Sequence, residues 1–214
     1  EWSTKIYCWL DCWSSLEVMF FEEFSTDIDT LYLKKKILKN EKSIIQKYPA
    51  KTWDLKYDFD GETGLGYKSL TSRACHFNVL EWWGTKKLKK TIKQNYKRLT
   101  NSRETSIYVQ CWANVLRNGE MVKPHLHSDE ESTRYFNLVS GNLFIYSDTI
   151  TSTYYGEKRV PNIIGDMVLF SSCLKHSTDR YIGNDCRVSI AFDIRDSFSI
   201  LDIHPKVRNH WKKI

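Results

Sequence analysis

After residue 100 the chain breaks repeatedly into short runs of strand-forming residues separated by turn signals, and this most narrows what it can fold into. Ser106 to Leu116, Met121 to His127, Thr133 to Val139, Asn142 to Tyr146, Asp166 to Phe170 and Arg187 to Ile194 all read as strands. Asn118-Gly119, Ser140-Gly141 and Gly183-Asn184-Asp185 supply turns between them. So many short strands without intervening helical stretches predict an antiparallel sandwich or jelly roll rather than a parallel sheet.

The first half has a different pattern. Ser25-Thr26-Asp27 can cap a helix, and Ile28, Leu31, Leu33, Ile37, Leu38, Ile44 and Ile45 recur at near-helical spacing until Tyr48-Pro49. One or two helices are expected between Asp27 and Lys47. Gly84 precedes a second helix in which Leu88, Ile92, Tyr96 and Leu99 form one apolar stripe beneath a row of lysines. Leu16 to Phe21 reads as a first strand covering a sheet edge, and Ser72 to Leu80 as another short strand. Residues 50 to 70, with Asp60-Gly61, Gly64 and Gly66, read as a loop lying over a site. The tail from His204 reads as a short helix or a frayed end. No repeat or linker divides the chain, so it is expected to be one domain, 1–214. Residues 1–100 form a mostly helical support, and 101–200 a mainly β, double-stranded β-helix core of jelly-roll or cupin-like type.

Eight Trp, twelve Tyr and ten Phe against nine Gly and four Pro exclude low-complexity or disordered character. The formal charge of +6 is modest and concentrated in Lys86 to Arg98, a pattern that a solvated helix face explains as well as a nucleic-acid surface. Cysteines 8, 12, 75, 111, 173 and 186 have neither zinc-finger nor disulfide-framework spacing, which predicts reduced thiols and a cytoplasmic setting. No apolar run approaches the roughly 20 residues of a membrane span.

The chemistry-bearing residues lie between Lys123 and Ile194. In an extended segment His125 and His127 project to the same side, and Asp129 continues that direction. Two imidazoles so placed can share a metal ion, and His176, which follows the glycine turn and apolar strand of Gly165 to Phe170, is the candidate third ligand. Fe(II) accepts imidazole and carboxylate together, so the set is either three histidines or two histidines and a carboxylate. In Arg187 to Ile194 the polar Arg187, Ser189 and Asp193 alternate with Val188, Ile190, Phe192 and Ile194. An arginine on the inward face of a barrel calls for an anion, either an internal acid or a bound carboxylate, which its planar fork and the Ser189 hydroxyl suit. His76, His204 and His210 read as surface or core histidines, Trp82 and Trp83 as packing residues or cleft walls, and Cys173 lacks a base at a helix start.

Trp112 to Asp193 resembles the Fe(II)/2-oxoglutarate-dependent oxygenase superfamily, and within it a small bacterial and phage-type branch. The likeness is carried by Cys111 to Val115, His125-Leu126-His127, Tyr135-Phe136-Asn137, Gly141 to Phe144, Pro161 through Phe170 to His176, and Arg187-Val188-Ser189. The resemblance implies Fe(II), O2 and the cosubstrate 2-oxoglutarate on a double-stranded β-helix. It also implies oxidative decarboxylation to succinate and CO2, coupled to hydroxylation of an unidentified small-molecule or peptide substrate. Carried over by position, His125, His127 and His176 hold the metal, with Asp129 as the alternative ligand in the HxD register. Arg187 and Ser189 bind the distal acid, and Tyr135 and Asn114 add hydrogen bonds. Two other readings stand beside it. One is a cupin-type metalloprotein that does not use 2-oxoglutarate, and the other is a nucleic-acid-binding module using the Lys86 to Arg98 face.

Overall fold

The computed structural model describes residues 20–50, 64–128, 133 and 138–214. Its strands are β1 (Phe21–Ser25), β2 (Tyr108–Leu116), β3 (Val139–Tyr146), β4 (Ser152–Tyr155), β5 (Lys158–Pro161), β6 (Asp166–Ser171), β7 (His176–Thr178), β8 (Arg187–Arg195) and β9 (Lys212–Lys213). Helices are α1 (Thr30–Lys47), α2 (Lys86–Thr100) and the one-turn α3 (Pro205–Arg208). Among the described residues the strands form two sheets, a major one ordered β1-β6-β3-β8-β2-β9 and a minor one ordered β5-β4-β7.

Strict alternation decides which residues serve which layer, because successive strand residues point to opposite faces. Met167 and Leu169 of β6, Leu143 and Ile145 of β3, and Val188, Ile190, Phe192 and Ile194 of β8 pack with Leu33 and Ile37 of α1 and Leu88, Ile92 and Tyr96 of α2. The opposite face gives Phe144, Val168 and Phe170 to a second core shared with Tyr155 and Val160 of the minor sheet. The fold is therefore mainly β, a double-stranded β-helix backed by two helices.

The helices form for local reasons. Asp29 accepts a hydrogen bond from Tyr32 N at the start of α1, a cap worth about 1 kcal/mol. Leu88, Ile92 and Tyr96 are buried as the stripe predicts, at 1, 0 and 3% exposure. Each apolar side chain so removed from water contributes about 1.5–3 kcal/mol, and the lysines stay on the outer side. Asn101 ends α2 in the left-handed region at φ 51°, which Asn tolerates better than most residues.

Several sequence readings are corrected. Ser72 to Leu80 is not a strand but two 3-10 turns, Thr71–Arg73 and Val79–Glu81, the second capped by Asn78. The edge strand begins at Phe21 and pairs with β6, while Leu16 to Met19 lie outside the described residues, as do Cys8, Cys12 and most of the expected Thr133 to Val139 strand. The end of the chain forms α3 and then β9, which pairs with β2. Met121 to His127 is not a regular strand. It runs beside β7, with Thr178 N donating to Val122 O and His125 and His176 exchanging backbone bonds, but three steps on one side oppose two on the other. Pro124 has no N–H to give, so the ladder bulges there.

Gly141 is required by packing. A Cβ at that position would lie 2.4 Å from ring atoms of Phe192 and 2.7 Å from Leu169 Cδ2, both side chains fully buried. Gly141→Ala is expected to lower unfolding stability by about 1–3 kcal/mol through overpacking, read by urea denaturation. Trimming the opposing ring in the double variant with Phe192→Leu should recover part of that loss.

Candidate metal and anion site

His125 and His176 face each other directly. His125 N donates to His176 O at 3.1 Å and His176 N to His125 O at 3.0 Å, a reciprocal antiparallel pair that puts both side chains on one face. Their ring centroids are 4.2 Å apart. His127, two residues on, is fixed by its N–H to Ser172 O at 3.0 Å and lies on the same side, 4.9 Å from the His176 ring. One ring nitrogen from each of the three lies within 4.8 Å of the others.

Every imidazole is held from behind through Nδ1. His125 Nδ1 meets Lys123 O at 2.8 Å, His176 Nδ1 meets Leu174 O at 3.0 Å, and His127 Nδ1 meets Asp193 Oδ1 at 2.5 Å. With Nδ1 donating, each Nε2 presents a lone pair to the interior. The Nε2 atoms of His125 and His127 are 3.3 Å apart. Two such lone pairs repel unless a cation lies between them. Metal–nitrogen bonds of about 2.1 Å at right or tetrahedral angles separate two donors by about 3.0–3.4 Å, so the spacing fits. Burial and the neighbouring His127 hold His125 down at about 4 and His176 well below the ordinary histidine range, which keeps both neutral and able to ligate. Burial raises the Asp193 carboxyl, but His127 and the Ser140 hydroxyl outweigh it and leave it below its usual value.

The three histidines open onto a cavity of about 280 Å³ that is also lined by Asn114, Arg187, Ser189, Thr153, Asn142, Trp112, Thr71 and Asp193. Register explains the convergence: Asn114 of β2 lies opposite Ser189 of β8, and Asn142 of β3 opposite Ala191. Arg187 is 3% exposed. Its Nη2 donates to Thr153 Oγ1 at 2.9 Å, while buried Nη1 has no partner, and no described carboxylate makes an ion pair with it. Desolvation pulls its pKa to about 10. A buried, unpaired donor costs about 1–3 kcal/mol, more when charged, and no described residue offsets that cost.

Of the residues expected at the site, His125, His127, His176, Arg187, Ser189 and Asn114 all line this one cavity, while Asp129 and Tyr135 lie outside the described residues. Trp82 stacks on Phe77, Trp83 is 81% exposed, and His76 stacks on Tyr48, so none of them lines it. Residues 147 to 160, which the sequence reading assigned to no strand, contain the β4–β5 hairpin. Four contributors were missed. Thr71 donates to Asn114 Oδ1 at 2.7 Å, Asn142 donates to Tyr155 Oη at 3.1 Å, Ser140 donates to Asp193 at 2.7 Å, and Thr153 braces Arg187. Only the alternation of β3 and β4 could have flagged any of them.

No family model matches the sequence, and no curated protein matches it. Solved structures do match in fold. The viral collagen prolyl hydroxylase of Paramecium Bursaria Chlorella virus-1, a 2-oxoglutarate complex, aligns over 82% of this chain and 96% of that one, with TM-score 0.54 at 10% identity. The Trichoplax adhaerens prolyl hydroxylase, bound to a fragment of hypoxia inducible factor, aligns over 86% and 87%, with TM-score 0.54 at 12% identity. The non-haem α-ketoglutarate-dependent epimerase SnoN of nogalamycin biosynthesis aligns over 86% and 84%, with TM-score 0.50 at 13% identity. The chain thus has the double-stranded β-helix fold of 2-oxoglutarate-dependent oxygenases.

Removing one imidazole should be severe. His176→Ala is expected to weaken Co(II) binding by at least about 100-fold, beyond the range for a residue that only supports a ligand, read by chelator competition; Trp83→Ala should leave it unchanged.

Proposed function

We propose that the protein is an Fe(II)- and 2-oxoglutarate-dependent dioxygenase that hydroxylates a small-molecule or peptide substrate. The observation that carries this reading is the buried Arg187, one nitrogen unsatisfied, in the same cavity as three convergent imidazoles. A metal-binding cupin without a dicarboxylate cosubstrate would have no use for that charge. The peptide complex of the Trichoplax enzyme supports keeping peptides among the substrate classes.

His125, His127 and His176 would hold the metal through Nε2, beside the cavity they line. Three imidazoles complete a ligand set without Asp129, which supports the HxH register. The planar fork of Arg187 takes the distal carboxylate of 2-oxoglutarate in parallel hydrogen bonds. Ser189 adds its hydroxyl, and Asn114 lines the same space, its side-chain oxygen held by Thr71. Thr153 fixes the guanidinium. Trp112, Ala74 and Val122 give the cavity an apolar wall, which excludes water from the reacting groups. Fe(II) with O2 and 2-oxoglutarate supplies the oxidation, in which substrate C–H, O2 and 2-oxoglutarate become substrate C–OH, succinate and CO2.

Anaerobic addition of Fe(II) and 2-oxoglutarate is expected to give a weak visible charge-transfer band, and admission of air should yield succinate. Absence of both contradicts the assignment. Arg187→Ala should raise the half-saturating 2-oxoglutarate concentration by about 30-fold or more, the loss of a buried charge partner, while Co(II) affinity stays near wild type.

A further inference from the structure

We infer that Asp193, acting through His127, supplies the negative charge that a carboxylate ligand would otherwise bring to the metal, making it a positioning and charge-setting residue. The inference rests on reading the three histidines as ligands. Its starting point is an asymmetry among the three supports. His125 and His176 lean on neutral backbone carbonyls two residues back in their own segments. His127 leans on a carboxylate 66 residues away, on the facing sheet. A carbonyl is enough to fix a tautomer and aim a ring, as the other two demonstrate. The third support therefore adds charge.

The surroundings hold that carboxylate in place. Ser140 and Asp193 are directly opposite in the register of β3 against β8, and Ser140 Oγ donates to the same Oδ1 that meets His127. Ser140 Oγ also lies 2.8 Å from Ser172 Oγ, and the Ser172 carbonyl anchors the backbone of His127 and Ser128. Histidine, acid and both serines form one interlocked group. Asp193 is the one acid among the described residues lining the cavity, so beside three neutral imidazoles it is their one described source of negative charge. A carboxylate hydrogen-bonded to Nδ1 raises the basicity of the ligating nitrogen. A unit charge roughly 6 Å from the metal, at an effective dielectric of about 20, favours Fe(III) over Fe(II) by about 100-fold.

The test uses the metal-free full chain and Co(II) alone, followed by the Fe(III)/Fe(II) potential of the iron-loaded protein in a dye-mediated titration. Asp193→Asn keeps an amide oxygen to accept the Nδ1 hydrogen bond and removes only the charge. It should bind Co(II) about 10–100-fold more weakly and raise the potential by about 120 mV, the 100-fold preference at about 59 mV per tenfold for one electron. Asp193→Glu should lie nearer wild type in both readouts. An Asp193→Asn protein that binds Co(II) within about twofold of wild type, or whose potential does not move, overturns the inference and leaves Asp193 as a ring-orienting acceptor. Should Asp193→Asn not fold, Asp193→Gln against Asp193→Glu, equal in length and different only in charge, carries the same comparison. His176→Ala is the reference: if Co(II) binding survives it, the metal reading itself fails, whatever Asp193→Asn does.

Discussion

Two reciprocal backbone hydrogen bonds between His125 and His176 make the rest of the site possible. They join residues 51 positions apart and fix both rings on one face of the minor sheet, and His127 follows by the two-residue repeat of extended chain. Because Pro124 interrupts the pairing on one side, this junction is short. The carbonyls of Lys123 and Leu174 then aim both rings inward. Secondary structure, tautomer and ring direction thus depend on the same few atoms.

Strand β8 joins that junction to the anion pocket. Its outward residues are core beneath the helices, and its inward residues run from Arg187 through Ser189 to Asp193. Arg187 is left partly unsatisfied at one end, and Asp193 is satisfied by His127 and Ser140 at the other. A buried cation without its anion is destabilising. Such a charge is coherent as one half of a binding interaction, completed by a ligand that brings its own carboxylate. Under the proposed function the same ligand would also meet the metal held by the three histidines, which gives the two halves of the site a reason to share one cavity.

Much of this arrangement was legible in the sequence because it rests on period-two alternation. His125 with His127, and Arg187 with Ser189 and Asp193, are separated by even steps, so their common faces follow from strand geometry alone. The lysine-rich helix was equally plain from the spacing of Leu88, Ile92 and Tyr96. What alternation cannot supply is register between distant segments. Asp193 was visible on the right face, but its contact with His127 needs the offset of β8 against residues 125–128. Thr71 entered the site from the boundary between stretches read as a loop and a strand, because its 3-10 turn is held by Leu70 and Ala74 in the main core rather than by local propensity. The β4–β5 hairpin was missed because Ser152 to Tyr155 and Lys158 to Pro161 are short and polar, and the sheet partner stabilises them more than their own composition does.

In the proposed function one cavity holds a metal on three imidazoles and a dicarboxylate on Arg187. The most direct measurement is a crystal structure of the protein grown anaerobically with Mn(II) and 2-oxoglutarate. Mn(II) is expected on Nε2 of His125, His127 and His176, with the 2-oxo acid end of the ligand on the metal and its distal carboxylate paired with both Arg187 Nη atoms. Metal bound elsewhere, or a ligand whose distal carboxylate leaves Arg187 Nη1 unpaired, would contradict it.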